Sequence, residues 1–312
     1  MDAIQQLPPE LPAHASAPLA PVPHSTIAEW PEGTFLENLA VLPDGSVAIS
    51  VLSEARIDRV TLQGAVATLR QFDAPPTGLA VVGGALFAAV GEPGAGPPTL
   101  WRLDPVTGDG EAWLELEGLE FANGLTPFAA GTLLTAESWQ GRLVRIDLSA
   151  RRASTWIEDE RLTRAPMIDM LPGANGVKRW RDEVTVSSTG RALLLRAVVE
   201  PDGSAGRLEV VSEHLRVDDL AYDAEGRVYL STHIGHSLDR LDRHGDRVML
   251  AGPEQGLAGS TACAFHPDGG LYVTTTGGII LPPNGRLESA RLVRLDPGAP
   301  GHPLESAWRA DQ

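Results

Sequence analysis

The sequence has one cysteine, Cys263, among 312 residues. An internal disulfide is excluded, and a lone thiol in a strand-like run reads as a small core residue. No apolar run approaches the ~18 residues needed to span a bilayer. The opening residues, MDAIQQLPPE, lack the basic and apolar regions of a secretory leader, so the cytoplasm is the expected compartment. Positive charge is also short: 25 Lys and Arg stand against 41 Asp and Glu, a formal net charge of -16. Such a surface repels phosphate backbones and anionic lipid, which argues against nucleic-acid and membrane partners. Missing as well are G-x-S-x-G, H-E-x-x-H, paired C-x-x-C, the Walker A loop and G-x-G-x-x-G. Serine-nucleophile and nucleotide-dependent chemistry therefore lose their usual signatures.

Helix signal is scarce, while glycine (33) and proline (25) are abundant. Short Val-, Leu- and Thr-rich runs separated by Gly/Asp/Pro turns argue for an all-β chain. Six segments share one order of polar residue, apolar strand, turn, second strand and polar tip. They begin ENLAVLPDGSVAISV, TGLAVVGGALFAAV, NGLTPFAAGTLLTAE, NGVKRWRDEVTVSS, DDLAYDAEGRVYLSTH and TACAFHPDGGLYVTTT. Their third letters, Leu39, Leu79, Leu125, Val177, Leu220 and Cys263, are 40, 46, 52, 43 and 43 residues apart. Such a period, with several strands per unit, predicts a six-bladed β-propeller of four-stranded antiparallel blades around a central channel. Residues 1–24 read as a Pro/Ala-rich arm, 25–298 as the propeller and 299–312 as a tail. STIAEW at 25–30 is expected to supply the outer strand that closes the ring on the last blade. Asp/Gly turns at 43–45, 223–226 and 267–270 read as local turn chemistry. The recurring R-[LI]-D triplets read as outer-strand, solvated charges.

In a propeller the innermost strand of every blade faces one axis. Two residues before each anchor stand Glu37, Thr77, Asn123, Asn175, Asp218 and Thr261. All six bear side-chain oxygen and adjoin strongly apolar strand residues. Buried carboxylates need compensation, and a hard divalent cation accepts this mix of carboxylate, amide and water oxygens. The alternative is a structural ion or a water-filled polar channel. The second strands end in polar tips as well: Glu137, Ser138 and Trp139; Ser187, Ser188 and Thr189; Thr232, His233 and His236; Thr274, Thr275 and Thr276. His233 is the one tip group with a near-neutral ordinary pKa that is singled out for chemistry. Asn175 lies in LPGANG, where Asn-Gly would ordinarily mark a hairpin. In this register it opens the fourth inner strand, and Gly173 and Gly176 are expected to let the backbone turn sharply.

At these residues the chain resembles the senescence-marker-protein/gluconolactonase/regucalcin-like family of calcium-dependent lactonase propellers. The matching pieces are LEN with Glu37, FANG with Asn123, GANG with Asn175, and VDD followed by LAYDAEGRVYLS, with Asp218. The resemblance spans roughly residues 30–298. It implies that Glu37, Asn175 and Asp218 bind one divalent metal. It further implies that Asn123 joins the site or touches substrate, and that Asp218 is both ligand and proton acceptor. Two positions depart from the family pattern. Asp219 stands where the family often has Gly, and Phe121 stands where sugar-lactone members carry an Arg. The second departure points to a substrate less polar than an aldonolactone.

The expected function is metal-dependent hydrolysis of a lactone or related ester. Ca2+ is the expected ion, with Mg2+, Mn2+ or Zn2+ accepting the same donors. Asp218, or else His233, would deprotonate water. Glu37, Asn175, Asp218 and Asn123 would hold the ion. Phe121, Asn123, Glu137, Trp139, Thr189, His233 and Thr275 would contact the small-molecule substrate. Two alternatives stand beside this: an isomerase or cyclase on the same site, and a non-enzymatic metal- or ligand-binding propeller. The pattern sets no oligomeric state.

Overall fold

Twenty-four strands fold into six four-stranded antiparallel sheets, as the repeat predicts. The computed structural model describes residues 21–165 and 171–302. The arm through residue 20, the segment 166–170 and the tail from 303 lie outside the described residues. Each of the first five blades runs outward in chain order from its inner strand: β2 (Leu36–Val41), β6 (Pro76–Val82), β10 (Ala122–Ala129), β14 (Ala174–Trp180) and β18 (Leu220–Tyr222). The sixth begins at β22 (Ser260–Phe265) and continues through β23 (Leu271–Thr275) and β24 (Ser289–Leu295). Its outer strand is β1 (His24–Glu32), which pairs antiparallel with β24. The N-terminal strand thus closes the ring, as STIAEW suggested, and removes the seam between first and last blades.

A single irregularity recurs where each inner strand meets the ring position. In blade 3, Ala122 pairs with Glu137 and Leu125 with Thr135, so three residues advance on one strand against two on the other. The same step lies between Leu36 and Leu39, Pro76 and Leu79, Ala174 and Val177, and Ser260 and Cys263. A bulge of one residue turns a side chain out of the ladder. Here it falls on Glu37, Thr77, Asn123, Asn175 and Thr261. In blade 5, Asp218 precedes β18 altogether, and its backbone N–H donates to Ser231 O at 2.8 Å.

The core is a set of six apolar clusters, each between two neighbouring blades. Leu36, Val47 and Ile49 pack on Ala262, Tyr272 and Leu292, for example, and Phe128 and Leu134 pack on Val177 and Val184. Cys263 is buried in the cluster between blades 5 and 6, where burial pushes its thiol up to about 12, as a core residue should. The Asp/Gly turns are local: Asp44 accepts from Ser46 N at 3.0 Å, and Asp268 from Gly270 N at 2.7 Å. The R-[LI]-D triplets close the third strands of their blades and not the outer ones, with each aspartate at the strand end or one residue past it, where it caps the next turn; Asp147 accepts from Ser149 N and Ala150 N, both at 2.9 Å.

Candidate functional site

The bulges of blades 1, 3 and 4 carry Glu37, Asn123 and Asn175, and the residue pair ahead of β18 carries Asp218. Asn175 donates Nδ2 to Asp218 Oδ1 at 2.6 Å and to Thr189 Oγ1 at 3.1 Å. Asp218 Oδ2 lies 3.2 Å from His233 Nδ1, and His233 Nε2 is 3.1 Å from Thr276 Oγ1. The edge of Phe35 closes the imidazole's remaining side, with ring centroids 5.4 Å apart. Glu37 is 8% exposed and Asn123 is 2% exposed. Among the described residues neither side chain has a hydrogen-bond partner, and no donor reaches Asn175 Oδ1.

Glycine controls how closely the blades approach here. A Cβ at Gly124 would stand 2.3 Å from Asn175 O, and one at Gly176 would stand 2.6 Å from Asp218 O. Each glycine after a ring residue therefore makes room for the next blade's ring residue. Gly173 is crowded likewise, by Leu162 O at 2.1 Å. Neither Gly173 nor Gly176 has a left-handed φ, so close approach and not a sharp turn explains GANG.

The electrostatics follow from burial. Desolvation, then the neighbouring charge of Asp218, pushes Glu37 up to about 8. Desolvation, then Asp219, holds Asp218 well above the usual carboxylate range, against a lowering hydrogen bond from Asn175. Desolvation takes His233 down to about 4. Among the described residues no Lys or Arg bonds either Glu37 or Asp218, and this imidazole is the one basic group that Asp218 meets. A site with two uncompensated buried carboxylates, a free amide and a free amide oxygen has the donor chemistry of a hard divalent cation. Among the described residues no three His, Cys, Asp or Glu side chains form a metal cluster by themselves. The donor set here depends on the two asparagines.

Five expected positions behave otherwise. Thr77 and Thr261 donate to backbone carbonyls of the next blade, Ala122 O and Leu36 O, each at 2.7 Å. They stitch blades together, and their short side chains are directed to these carbonyls. Glu137 is fully buried, and its carboxylate accepts from the Phe121 N–H at 3.1 Å, from Glu120 N–H and from Gln140 N–H. It shapes the loop that carries Phe121. Thr275 Oγ1 accepts from Arg291 N at 2.9 Å, facing β24; it is Thr276 that meets His233. Thr189 sits behind Asn175, not on a substrate wall. Phe121 and Trp139 do stand together, half-buried with centroids 6.2 Å apart, and Arg164 covers the Trp139 ring at 4.8 Å. Sequence reasoning missed Phe35 and Arg164, and among the three threonine tips it singled out Thr275 where Thr276 meets His233.

One layer further along the inner strands, Lys178 Nζ bonds Asp219 Oδ1 at 2.6 Å, and both are buried. Beyond this pair lies a mostly apolar chamber of about 510 Å³, lined in part by Leu39, Leu79, Leu125, Cys263 and Lys178.

No family model and no curated protein sequence matches the chain. Solved structures do. The calcium-binding protein regucalcin of Agrobacterium tumefaciens is 17% identical with TM-score 0.68, over 90% of this chain and 97% of that one. A gluconolactonase of Xanthomonas campestris is 15% identical with TM-score 0.67, over 89% and 91%. A luciferin-regenerating enzyme is 14% identical with TM-score 0.68, over 88% and 95%. The chain therefore has the six-bladed fold of gluconolactonase- and regucalcin-type propellers, as its ring motifs suggested.

Proposed function

We propose that the protein is a metal-dependent hydrolase that opens a lactone or related ester. The observation that carries this reading is the meeting of Asn175, Asp218 and Glu37, two of them buried acids that no Lys or Arg among the described residues neutralises, with Asn123 buried at the equivalent bulge of blade 3. Glu37, Asn175, Asp218 and Asn123 would hold one divalent cation, Ca2+ in the first instance. When bound, such an ion offsets the two carboxylates and stabilises negative charge on the attacked carbonyl oxygen. Asp218 accepts the proton of the attacking water. His233 is better placed to orient than to act as base, because both ring nitrogens already have partners, Asp218 and Thr276. Phe121 and Trp139 form the substrate wall, and their aromatic character suits a lactone with few hydroxyls. The naming of fold neighbours as gluconolactonase and regucalcin supports the reading.

Asp218→Ala combined with chelation is the direct test, against a panel of aliphatic and aromatic lactones. Hydrolysis should fall by about 10²–10⁴-fold, the range of a lost general base; full activity after both treatments would sink the proposal. The same aromatic wall favours a second reading, isomerisation or cyclisation of a small molecule at the same ion. Product mass separates the two, since hydrolysis adds one water and isomerisation adds nothing. We further propose a cytoplasmic protein whose partner is a small molecule and neither nucleic acid nor membrane. Among the described residues no helix is long and apolar enough to cross a bilayer.

A further inference from the structure

We propose that Thr189 is a positioning residue that sets which end of the Asn175 amide faces the cation. The inference rests on the metal-centre reading above. Thr189 has one hydroxyl proton, and Val217 O takes it at 2.6 Å. Towards Asn175, 3.1 Å away, the hydroxyl can therefore only accept. That requirement turns Nδ2 toward Thr189. The second Nδ2 hydrogen goes to Asp218 Oδ1 at 2.6 Å. With both hydrogens engaged, Oδ1 is left as the free end of the amide.

The reverse orientation has two faults. It would set an amide oxygen 2.6 Å from a carboxylate oxygen, and it would confront a hydroxyl whose proton is already committed. Thr189 is itself rigid. Its backbone N–H donates to Gly173 O at 3.0 Å, and its carbonyl accepts from Ala192 N at 3.2 Å and Arg216 Nη1 at 3.0 Å. The residue is 3% exposed, so water does not compete for the hydroxyl. The device resembles the outer partner that orients a ligating histidine, with an amide in place of the imidazole.

The test is calorimetric titration of the metal-free protein with Ca2+, read as a dissociation constant and independent of any substrate. Thr189→Val keeps the shape and removes the hydroxyl; affinity should fall about 10–100-fold, as for lost outer partners elsewhere. Thr189→Ser should bind as the wild type does. The decisive comparison is made in an Asn175→Asp background, where the two ends of the side chain are alike and no orientation remains to set. There, adding Thr189→Val should leave affinity unchanged. An equal loss in both backgrounds would show a packing effect and overturn the proposal, as would wild-type affinity in Thr189→Val alone. If Thr189→Val does not fold, Thr189→Ala in both backgrounds makes the same comparison. Wild-type protein that binds no Ca2+ would refute the underlying metal reading, an outcome distinct from wild-type binding that ignores Thr189.

Discussion

Asp218 and Asp219 are consecutive, both acidic and both buried, at 6% and 3% exposed. Yet the protein treats them differently. Asp219 has a cation of its own, Lys178 Nζ at 2.6 Å, supplied by the neighbouring blade. Asp218, with Glu37 nearby, meets only the Asn175 amide and an imidazole that burial keeps neutral. An ion pair completed within the chain is structural by construction. A pair of carboxylates left without one, at the same depth, marks the layer where an external charge belongs. The contrast also gives a meaning to Asp219. Its charge comes with its own counterion, and Gly176 leaves the space it occupies, since a Cβ there would fall 2.6 Å from Asp219 Oδ1.

The largest expected effect breaks the uncompensated side of that contrast. Asn175→Leu removes the amide oxygen and the hydrogen bonds to Asp218 and Thr189 while keeping a side chain of similar size. Stoichiometric Ca2+ binding should disappear, while the far-ultraviolet circular dichroism of the propeller persists. Retained one-to-one binding would mean that the ring does not hold the ion.

Breaking the compensated side should cost stability and not metal. Lys178→Met leaves Asp219 buried without its cation, a change that costs about 3–5 kcal/mol where buried pairs have been broken. Urea unfolding should show it. Adding Asp219→Gly removes the stranded charge and should restore most of the loss. If the double variant is as unstable as Lys178→Met alone, Lys178 contributes by packing and the contrast drawn here fails.

How much of this could be read beforehand follows from what a repeat encodes. The six inner strands, their order and the closing strand at 25–30 were legible, because alternation and turn residues recur at every blade. So was the convergence of Glu37, Asn175 and Asp218. The bulges were not, since an extra residue in a ladder leaves no mark in one strand's own letters. The phase of the tips was equally hidden. In Thr274-Thr275-Thr276 three identical residues point toward β22, toward β24 and toward His233, and nothing in their identity distinguishes them. Glu137 looked like a pocket acid because its partners are backbone N–H groups, which every residue type shares. Lys178 was overlooked because its partner lies 41 residues away, on another blade.

The smallest effect concerns the ring itself, where six equivalent positions divide into two kinds. Thr77 occupies the same bulge as Glu37 and Asn123, but its short side chain ends on Ala122 O of the next blade at 2.7 Å. Thr77→Val keeps the volume and deletes that bond. A buried carbonyl then loses a donor, so unfolding should cost about 1 kcal/mol less than in the wild type. Ca2+ affinity should stay where it was, because the Thr77 hydroxyl is directed to Ala122 O at the blade interface. A loss of affinity out of proportion to the loss of stability would move Thr77 into the metal site. That result would make the ring a set of five donors and return the threonines to the role their repeat position first suggested.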